Sequence, residues 1–316
     1  MIIVAYLAAS IVKNATREPT GITQPDKSFI LAEPSSRKQW TGVTESDFKC
    51  PKAQYGRIAF KWRRKKNSSF PVMRPPAILV FFVKHFWIVS WDLTGQEPYL
   101  QDVVPNPCVN LVIEPNRTAF YGAAKSKYSY LIQGKGCVLG VKFKPGGFYP
   151  FIKQPVSRLS QHPMDVGSVL DVDAQTLESA ILSQEDEAKM VEHAERFIRP
   201  KLPDKDPHIT LINQIIDRII EERDMTKVDH ICTAFSLNKR TLQRLFDQYV
   251  GVSPKWVIQL YRLQNAAETM DLHPNHDWAK LSMDLGYHDQ SHFIKDFKAT
   301  IGMTPEEYVR RRTAST

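Results

Sequence analysis

The chain has 316 residues, enough for two domains with a core in each, and carries a formal net charge of +8. Its cysteines, Cys50, Cys108, Cys137 and Cys232, lie far apart without a CxxC pair, which disfavours a zinc site or a disulfide framework and is typical of a protein of the reducing cytoplasm. The charge does not by itself indicate DNA binding by the C-terminal part, because the excess of Lys and Arg is +9 in residues 1–75, −1 in residues 76–207 and 0 in residues 208–316.

The first 75 residues show no sustained apolar period and contain six prolines and the basic run KWRRKK, Lys61 to Lys66. This composition predicts a disordered basic extension. A second interpretation is a translated leader, with the domain starting at Met73, immediately before the first strand-like run. Met1 to Val12 is apolar, but Lys13 follows it instead of preceding it, and 12 residues fall short of the roughly 20 that cross a bilayer. We therefore expect neither a signal peptide nor a membrane anchor.

Strand-like segments follow from Ala77 to about Phe151. AILVFFVKHFWIVSW, CVNLVIEP and CVLGVKF are rich in β-branched and aromatic residues, and TGQ, PNP, EPN and KPGG separate them as turns. Residues 76–171 are therefore predicted to form a β-rich barrel or sandwich that serves in sensing or oligomerisation. The interior of such a domain is filled by side chains or holds a ligand, and both alternatives stay open.

The spacing becomes helical over residues 174–198. Leu177, Ile181, Ala188, Val191 and Phe197 lie broadly on one side of a helical segment over residues 172–198. Three prolines and alternating charges in residues 199–207 predict an interdomain linker. The next run, ITLINQIIDRII, repeats isoleucine at 209, 212, 215, 216 and 219 and predicts an amphipathic helix.

The C-terminal region contains an internal repeat. NKRTLQRLFDQYVGVSP, Asn238 to Pro254, aligns with DQSHFIKDFKATIGMTP, Asp289 to Pro305, at a constant offset of 51. The paired positions are Asn238 and Asp289, Leu242 and Phe293, Arg244 and Lys295, Phe246 and Phe297, Gly251 and Gly302, and Pro254 and Pro305. Six matches of one physical kind in one register indicate that the same structural unit occurs twice.

Each copy predicts a capped helix behind a shorter apolar one. Asn238 or Asp289 is suited to cap the helix, a glycine to end it in a left-handed conformation, and a proline to begin the next helix. The shorter helices contain Val228, Ile231 and Phe235 in the first copy and Trp278, Leu281 and Leu285 in the second, and short turns, AFSLN and DLGYHD, follow them. A short helix, a tight turn and a capped second helix make up the helix-turn-helix arrangement.

The second helix of each copy is predicted to bury one side and to present a polar side. Leu242, Leu245, Phe246 and Tyr249 face inward in the first copy, and Phe293, Ile294, Phe297 and Ile301 do so in the second. The candidate DNA-binding residues on the polar sides are Arg240, Gln243, Arg244, Asp247, Gln290, Ser291, His292, Lys295 and Lys298. Arg and Gln suit the edges of bases in a major groove, and Ser, Lys and the capped helix ends suit phosphates. The alternative is that these are ordinary solvated faces.

LGYHDQSHFIKDFKATIGMTPEEY resembles the signature around the second helix-turn-helix of the AraC/XylS family of bacterial transcription regulators, over roughly residues 208–312. The resemblance implies that Ser253 to Met270 is the helix that connects two subdomains, and that two recognition helices enter successive major grooves. Two positions depart from the family pattern: Ser236 stands where the first turn usually carries Gly, and His288 where a small residue is often found. The segments WDLTGQEPYLQDVVPNPCVNLVIEP and FKPGGFYPFIKQPVSRL resemble a cupin-like N-terminal domain of some of these regulators.

The sequence gives no support to catalysis or to a cofactor. No GxxxxGK[ST], HExxH or GxSxG motif occurs, and residues 76–171 offer only His85 and His162 as imidazole ligands, so no metal site is expected. The fold class is therefore predicted to be α+β, a β-rich domain followed by an all-α double helix-turn-helix domain.

The predicted function is transcription regulation in the cytoplasm, with double-stranded DNA as partner and no membrane contact. RNA polymerase joins the partners if the protein is an activator, and a small-molecule effector and a homodimer stay open. The alternative function is a small-molecule-binding or enzymatic β-barrel whose helical tail contacts other proteins.

Overall fold

The computed structural model describes residues 68–69, 71–160, 162–222, 224–272 and 277–313. The predictions for residues 1–67, a disordered basic extension or a translated leader, lie outside the described residues. Strand pairing begins before residue 76, since β1 (Ser68–Ser69) and β2 (Val72–Met73) both pair with β3 (Val83–Asp92). The strands of the β-rich domain thus extend into the last part of the segment in which no regular structure was expected.

The expected run of strand from Ala77 is a strand only from Val83 onward. Residues 77–82 form turns instead, with hydrogen bonds from the Leu79 amide to the Pro76 carbonyl at 2.9 Å and from the Val83 amide to the Leu79 carbonyl at 2.8 Å. Two consecutive prolines precede this segment, and a proline cannot donate to a strand ladder. Apolar composition alone did not reveal this turn.

Six strands form one antiparallel sheet in the order β1-β3-β8-β5-β6, with β2 also on β3, and two strands form a second sheet, β4-β7. The remaining strands are β4 (Tyr99–Val103), β5 (Asn110–Ile113), β6 (Ala119–Tyr121), β7 (Tyr128–Ile132) and β8 (Lys135–Phe143). Side chains of β3 alternate between two cores, because successive residues of a strand point to opposite faces. Phe86 and Ile88 pack with the helices, whereas Trp87 and Val89 pack toward the two-stranded sheet.

Helices cover the outer face of the larger sheet. They are α1 (Tyr149–Ile152), a 3-10 helix (Val156–Ser160), α2 (Gly167–Leu170), α3 (Ala174–Leu182) and α4 (Glu187–Ile198). The segment 172–198, predicted as one helical segment, contains two helices, because a new helix, α4, begins after Asp186. The Asp186 side chain caps α4 by accepting a hydrogen bond from the Lys189 amide at 2.9 Å. The break changes the buried side of α4: Ala188 is exposed and Phe197 half-buried, whereas Met190, Val191, Ala194 and Ile198 are buried.

The C-terminal part is entirely helical. A 3-10 turn (Arg199–Lys201) precedes α5 (Pro207–Glu221), α6 (Val228–Ala234), α7 (Lys239–Tyr249), α8 (Pro254–Leu272), α9 (Trp278–Asp284), α10 (Gln290–Ile301) and α11 (Pro305–Thr313). The five isoleucines of α5 are buried, as predicted, and four of them share one core with α7 and α8. A second core joins α8 to α9, α10 and α11. The predicted α+β fold class, with a β-rich domain before a helical one, is therefore confirmed.

No helix among the described residues is long and apolar enough to cross a membrane. Cys108, Cys137 and Cys232 are free thiols. His85 is fully buried, and burial, followed by the charges of Lys142 and Lys84, lowers its pKa to about 2. His162 is exposed, and the described residues contain no cluster of His, Cys, Asp or Glu that could hold a metal ion.

The turn after α6 and the turn after α9 have the same hydrogen bonds. The Leu237 amide reaches the Cys232 carbonyl at 3.0 Å, and the Tyr287 amide reaches the Ser282 carbonyl at 2.9 Å, which is an offset of 50. The helices that follow these turns, α7 and α10, begin 51 residues apart, so the second turn has one additional residue, His288. Ser236 adopts a φ of 52° where the second turn has Gly286 at 72°. The first turn therefore keeps its geometry with a serine in the left-handed region.

We predict that Ser236→Gly raises the free energy of unfolding by about 1 kcal/mol, because glycine adopts a positive φ without the steric cost that a Cβ atom adds. Chemical denaturation measures the change. The reciprocal substitution, Gly286→Ser, is the matched comparison and should lower stability by a similar amount. A Ser236→Gly protein less stable than the parent would contradict this reading of the turn.

Candidate nucleic-acid interface

Helix α7 has one buried and one exposed side. Leu242, Leu245, Phe246 and Tyr249 are buried as predicted. The candidate residues Arg240, Gln243, Arg244 and Asp247 are all exposed on the opposite side. The structure thus brings two guanidinium groups, an amide and a carboxylate together on one solvent-facing surface of an eleven-residue helix.

Helix α10 repeats this arrangement. Phe293, Phe297 and Ile301 are buried, whereas Ile294, which was expected inside, is half-buried. The candidate residues Gln290, Ser291, His292, Lys295 and Lys298 are all exposed. The outward surfaces of α7 and α10 are named the two polar faces from here on.

Side chains cap both helices at the predicted positions. Asn238 accepts the Thr241 amide at 2.8 Å, and Asp289 accepts the His292 amide at 2.7 Å. Such a cap satisfies one of the free amides of the first turn, while the remaining amides and the helix dipole leave a partial positive charge at the end. Both helix starts are consequently suited to an anion.

Three basic groups of the polar faces form no salt bridge with another described residue. Over the described ranges, Arg240, Arg244 and Lys295 form no ion pair, whereas the neighbouring Lys239 pairs with Asp229 at 2.7 Å. The hydrogen bond to Asp229, and then its charge, raise the pKa of Lys239. Arg240 and Arg244 can therefore bind an external acceptor without first breaking an ion pair.

Two side chains of α8 hold α10 in place, and the sequence reasoning had missed both. Gln259 donates to Asp296 of α10 at 2.6 Å, and Asp296 lies 3.6 Å from His292. The guanidinium of Arg262 lies 4.9 Å from the centre of the Tyr287 ring in the second turn, and burial lowers the pKa of Arg262. The sequence offered no signal for them, because several other polar residues lie in the same helix, PKWVIQLYRLQNAAETMDL.

The β-rich domain contacts the end of each recognition helix at equivalent positions of the repeat. A Cβ atom at Gly251, which has a φ of 85°, would come within 3.0 Å of the Val156 carbonyl oxygen. At Gly302, with a φ of 95°, it would collide with the side chain of Lys127. Both glycines are therefore favoured by their left-handed conformation, and a larger residue would also meet the first domain, at its backbone for Gly251 and at the flexible end of Lys127 for Gly302.

Hydrogen bonds reinforce this contact between the domains. Ser160 donates to the Gly251 carbonyl at 3.3 Å, and the Trp256 indole donates to the Lys125 carbonyl at 3.2 Å. Asn213 of α5 donates to the Pro145 carbonyl at 3.0 Å. The rings of Tyr149 and Tyr249 lie 4.0 Å apart. The helical domain is thus attached to the β-rich domain at several separate points.

Lys127 is fixed by an acidic partner within its own domain. Its ammonium lies 2.9 Å from Asp102, which also accepts a hydrogen bond from Ser129 at 2.7 Å. Partial burial would raise the pKa of Asp102, but the hydrogen bonds from Lys127 and Ser129 outweigh it and hold that pKa below its usual value. The methylene groups of Lys127 are consequently held against the end of α10.

A cavity of about 340 Å³ lies inside the β-rich domain. Its lining includes Ala123, Ala124 and Tyr128 on one side and Leu159 and Ser160 on another. The same two segments, residues 122–128 and the 3-10 helix 156–160, make the contacts with Gly251, Trp256 and Gly302. The walls of the cavity and the contact between the domains therefore share residues.

Comparison with known proteins assigns two regions. Residues 72–165 match the family described as "Domain of unknown function (DUF6597)", and residues 231–311 match the "Helix-turn-helix domain" family. The HTH-type transcriptional regulator MtrA of Neisseria gonorrhoeae is 28% identical over 98 residues, which is 31% of this chain and 31% of that protein. The matched region thus spans about a third of the curated relative.

Solved structures with low similarity include two of ToxT. The crystal structure of ToxT from Vibrio cholerae O395 has 15% identity and a TM-score of 0.31, covering 78% of this chain and 98% of that one. The structure of unsaturated fatty acid bound wild-type ToxT from Vibrio cholerae strain SCE256 has 13% identity and a TM-score of 0.33, covering 77% of this chain and 93% of that one.

We predict energetic coupling between Lys127 and residue 302. Gly302→Ala should destabilise the protein, and Lys127→Ala should reduce that loss by about 0.5–1 kcal/mol because it removes the side chain that the new methyl group meets. Thermal or chemical denaturation of the four proteins of the cycle measures the coupling. Gly95→Ala is the matched control, since Gly95 also has a positive φ, 70°, but has no neighbour within 4 Å. If Lys127→Ala reduced the loss caused by Gly95→Ala as much as the loss caused by Gly302→Ala, the contact between Lys127 and Gly302 would be contradicted.

Proposed function

We propose, from the helix-turn-helix domain of the AraC type that residues 231–311 form, that this protein is a cytoplasmic, sequence-specific DNA-binding transcription regulator. The observation that carries the proposal is the pair of polar faces. Two helices at equivalent positions of a repeat are capped, anchored by an apolar stripe and left exposed on the opposite side. One such helix has the composition of many solvated surfaces, but two copies with basic groups on the same side favour a shared ligand.

The chemistry of the two faces suits a DNA duplex. Arg240 and Arg244 lie one turn apart on α7, where a guanidinium can donate two hydrogen bonds to guanine, and Gln243 between them can bond adenine. Asp247 can accept from the amino group of cytosine. On α10, Gln290, Ser291 and His292 lie at the capped start of the helix, and Lys295 and Lys298 follow toward its end. Ser291, Lys298 and the helix start suit phosphates, and Lys295 faces the groove.

The two helices are proposed to enter successive major grooves on one side of the duplex. Helix α8, which connects them, has 19 residues and is therefore about 28 Å long. Major grooves on one side of B-DNA recur at about 34 Å. A rigid connector of this length supports one groove for each recognition helix, with both packed on α8 through separate cores.

Control by a small molecule is the second part of the proposal. The cavity is enclosed in part by residues 122–128 and 156–160, and these segments touch the ends of both recognition helices. A ligand with different affinity for two arrangements of these segments would shift the helical domain between them. RNA polymerase is the partner that an activator requires, and a homodimer would place two such domains on one operator.

We expect residues 208–316 alone to bind duplex DNA, because this fragment contains α7, α10 and their connector α8. Gel-shift titrations at several salt concentrations, with the fold checked by circular dichroism, measure the affinity and its salt dependence. A folded fragment with no affinity at low salt would contradict the proposal. That result would favour the alternative in which the helical region contacts other proteins.

Substitutions on the two faces separate base reading from phosphate binding. Arg240→Ala or Arg244→Ala should cost about 1–3 kcal/mol on the preferred site and relax the choice of base at one position. Lys298→Ala should weaken binding to all sequences alike and lower the salt slope by about one unit. Site selection from random DNA measures base preference for each variant.

Lys189→Ala is the matched control for these variants, since Lys189 is an exposed lysine of α4. It should change neither affinity nor preference. None of the substitutions should alter folding, because the three target residues lie outside the buried stripes. Unchanged base preference in both arginine variants would show that α7 contributes phosphate contacts only.

A further inference from the structure

The cavity of the β-rich domain has a buried carboxylate at one end. Glu114, which follows β5 directly, lines the cavity, and its side chain is only 5% exposed. One carboxylate oxygen accepts a hydrogen bond from the Tyr130 hydroxyl at 2.6 Å. The other lies 3.5 Å from the Arg117 guanidinium, whose side chain is 61% exposed. Glu114 is thus buried with one close donor and one partly exposed cation, Arg117, which also lines the cavity and lies 5.4 Å from the centre of the Tyr130 ring.

Further cavity groups point to a ligand that donates hydrogen bonds. The side-chain oxygen of Asn106 is buried and has no hydrogen-bond partner among the described residues. A buried acceptor without a donor costs free energy unless something else satisfies it. The aromatic residues Trp87, Tyr121, Tyr128 and Tyr130 also line the cavity. Aromatic faces attract cations as well as apolar groups.

A second buried charge lies at the other end of the same sheet face. Lys142 is 4% exposed and pairs with Asn110 in the ladder between β8 and β5. Burial lowers the pKa of Lys142 to about 8, and the neighbouring Cys108 opposes this change by raising that pKa. Glu114 is four residues further along the chain than Asn110, which corresponds to about 13 Å of strand. The negative end of the cavity is therefore well separated from this buried ammonium.

We propose that the cavity binds a small organic amine in its protonated form, with the ammonium at Glu114 and the apolar body against the aromatic side chains. The ammonium replaces Arg117 as the partner of the second carboxylate oxygen. Because the Arg117 side chain is 61% exposed, its guanidinium can turn to water when the ligand ammonium takes its place. A ligand ammonium inside the cavity is less screened by water, so its pairing with Glu114 is stronger.

This inference assigns a ligand class to the control proposed above, but its test needs no DNA. Three matched probes share a phenyl ring on a two-carbon chain and differ in the polar group at the end of that chain: 2-phenylethylammonium, 2-phenylethanol and phenylacetate. Titration calorimetry and quenching of tryptophan fluorescence, to which Trp87 contributes, measure binding to the full chain. The ammonium probe should bind saturably and at least about tenfold more tightly than the alcohol or the carboxylate, as expected for a charge-assisted hydrogen bond.

Two cavity variants and one control locate the site. Glu114→Gln should remove the preference for the ammonium over the alcohol. Asn106→Asp should tighten ammonium binding several-fold, because it adds a second carboxylate to the cavity wall, and it keeps the proposal testable if Glu114→Gln fails to fold. Glu185→Gln, at an exposed glutamate of the turn between α3 and α4, should leave binding unchanged.

Three results would overturn the amine assignment. The first is tighter binding of phenylacetate than of the ammonium. The second is equal binding of all three probes with no effect of Glu114→Gln. The third is no saturable binding of the ammonium, to the parent or to Asn106→Asp, at concentrations on the order of 10 mM. None of these results would affect the proposed reading of DNA, which is measured on separate residues.

Discussion

The packing of two short helices against larger cores is the constraint on which the rest of the structure depends. Helices of 11 and 12 residues are marginal in water and persist only when one side is buried. Leu242 and Phe246 fix the orientation of α7, and Phe293 and Phe297 fix that of α10, all four fully buried. Once these stripes are buried, the opposite residues have to face outward. The polar faces thus follow from the hydrophobic anchoring.

The attachment of the β-rich domain follows the same repeat. It touches the helical domain at Gly251 and Gly302, where α7 and α10 end, and leaves their polar faces exposed. Under the proposed control, a ligand in the first domain would act on the second without covering the groups proposed to contact DNA. The segments 122–128 and 156–160 are short and line the cavity on their other side. A displacement of either segment would change its contact with the end of a recognition helix.

Local features of the C-terminal region could be read from the sequence, and contacts between distant segments could not. The caps at Asn238 and Asp289, the glycine stops and the buried isoleucines of α5 depend on neighbouring residues, so periodicity and residue type predicted them. The break between α3 and α4 needed recognition of Asp186 as a cap.

The remaining differences arise from tertiary contacts and from proline-rich turns. The turns of residues 77–82 replaced part of a predicted strand, although the composition there was strand-like. The polar anchors Gln259 and Arg262 acquire a role only once α8 packs against α10. The contact of Lys127 with Gly302 joins residues far apart in the chain, so no local sequence pattern predicts it. The residues of the polar faces were predicted as a group, because exposure follows from the helical period.

Hydroxyl-radical footprinting of the full chain on a selected DNA site tests the central claim most directly. If α7 and α10 occupy successive major grooves, the footprint should show two protected tracts on one side of the duplex, with centres about 10 base pairs apart. A single protected tract, or two tracts on opposite sides of the duplex, would contradict the proposal that both helices read DNA together.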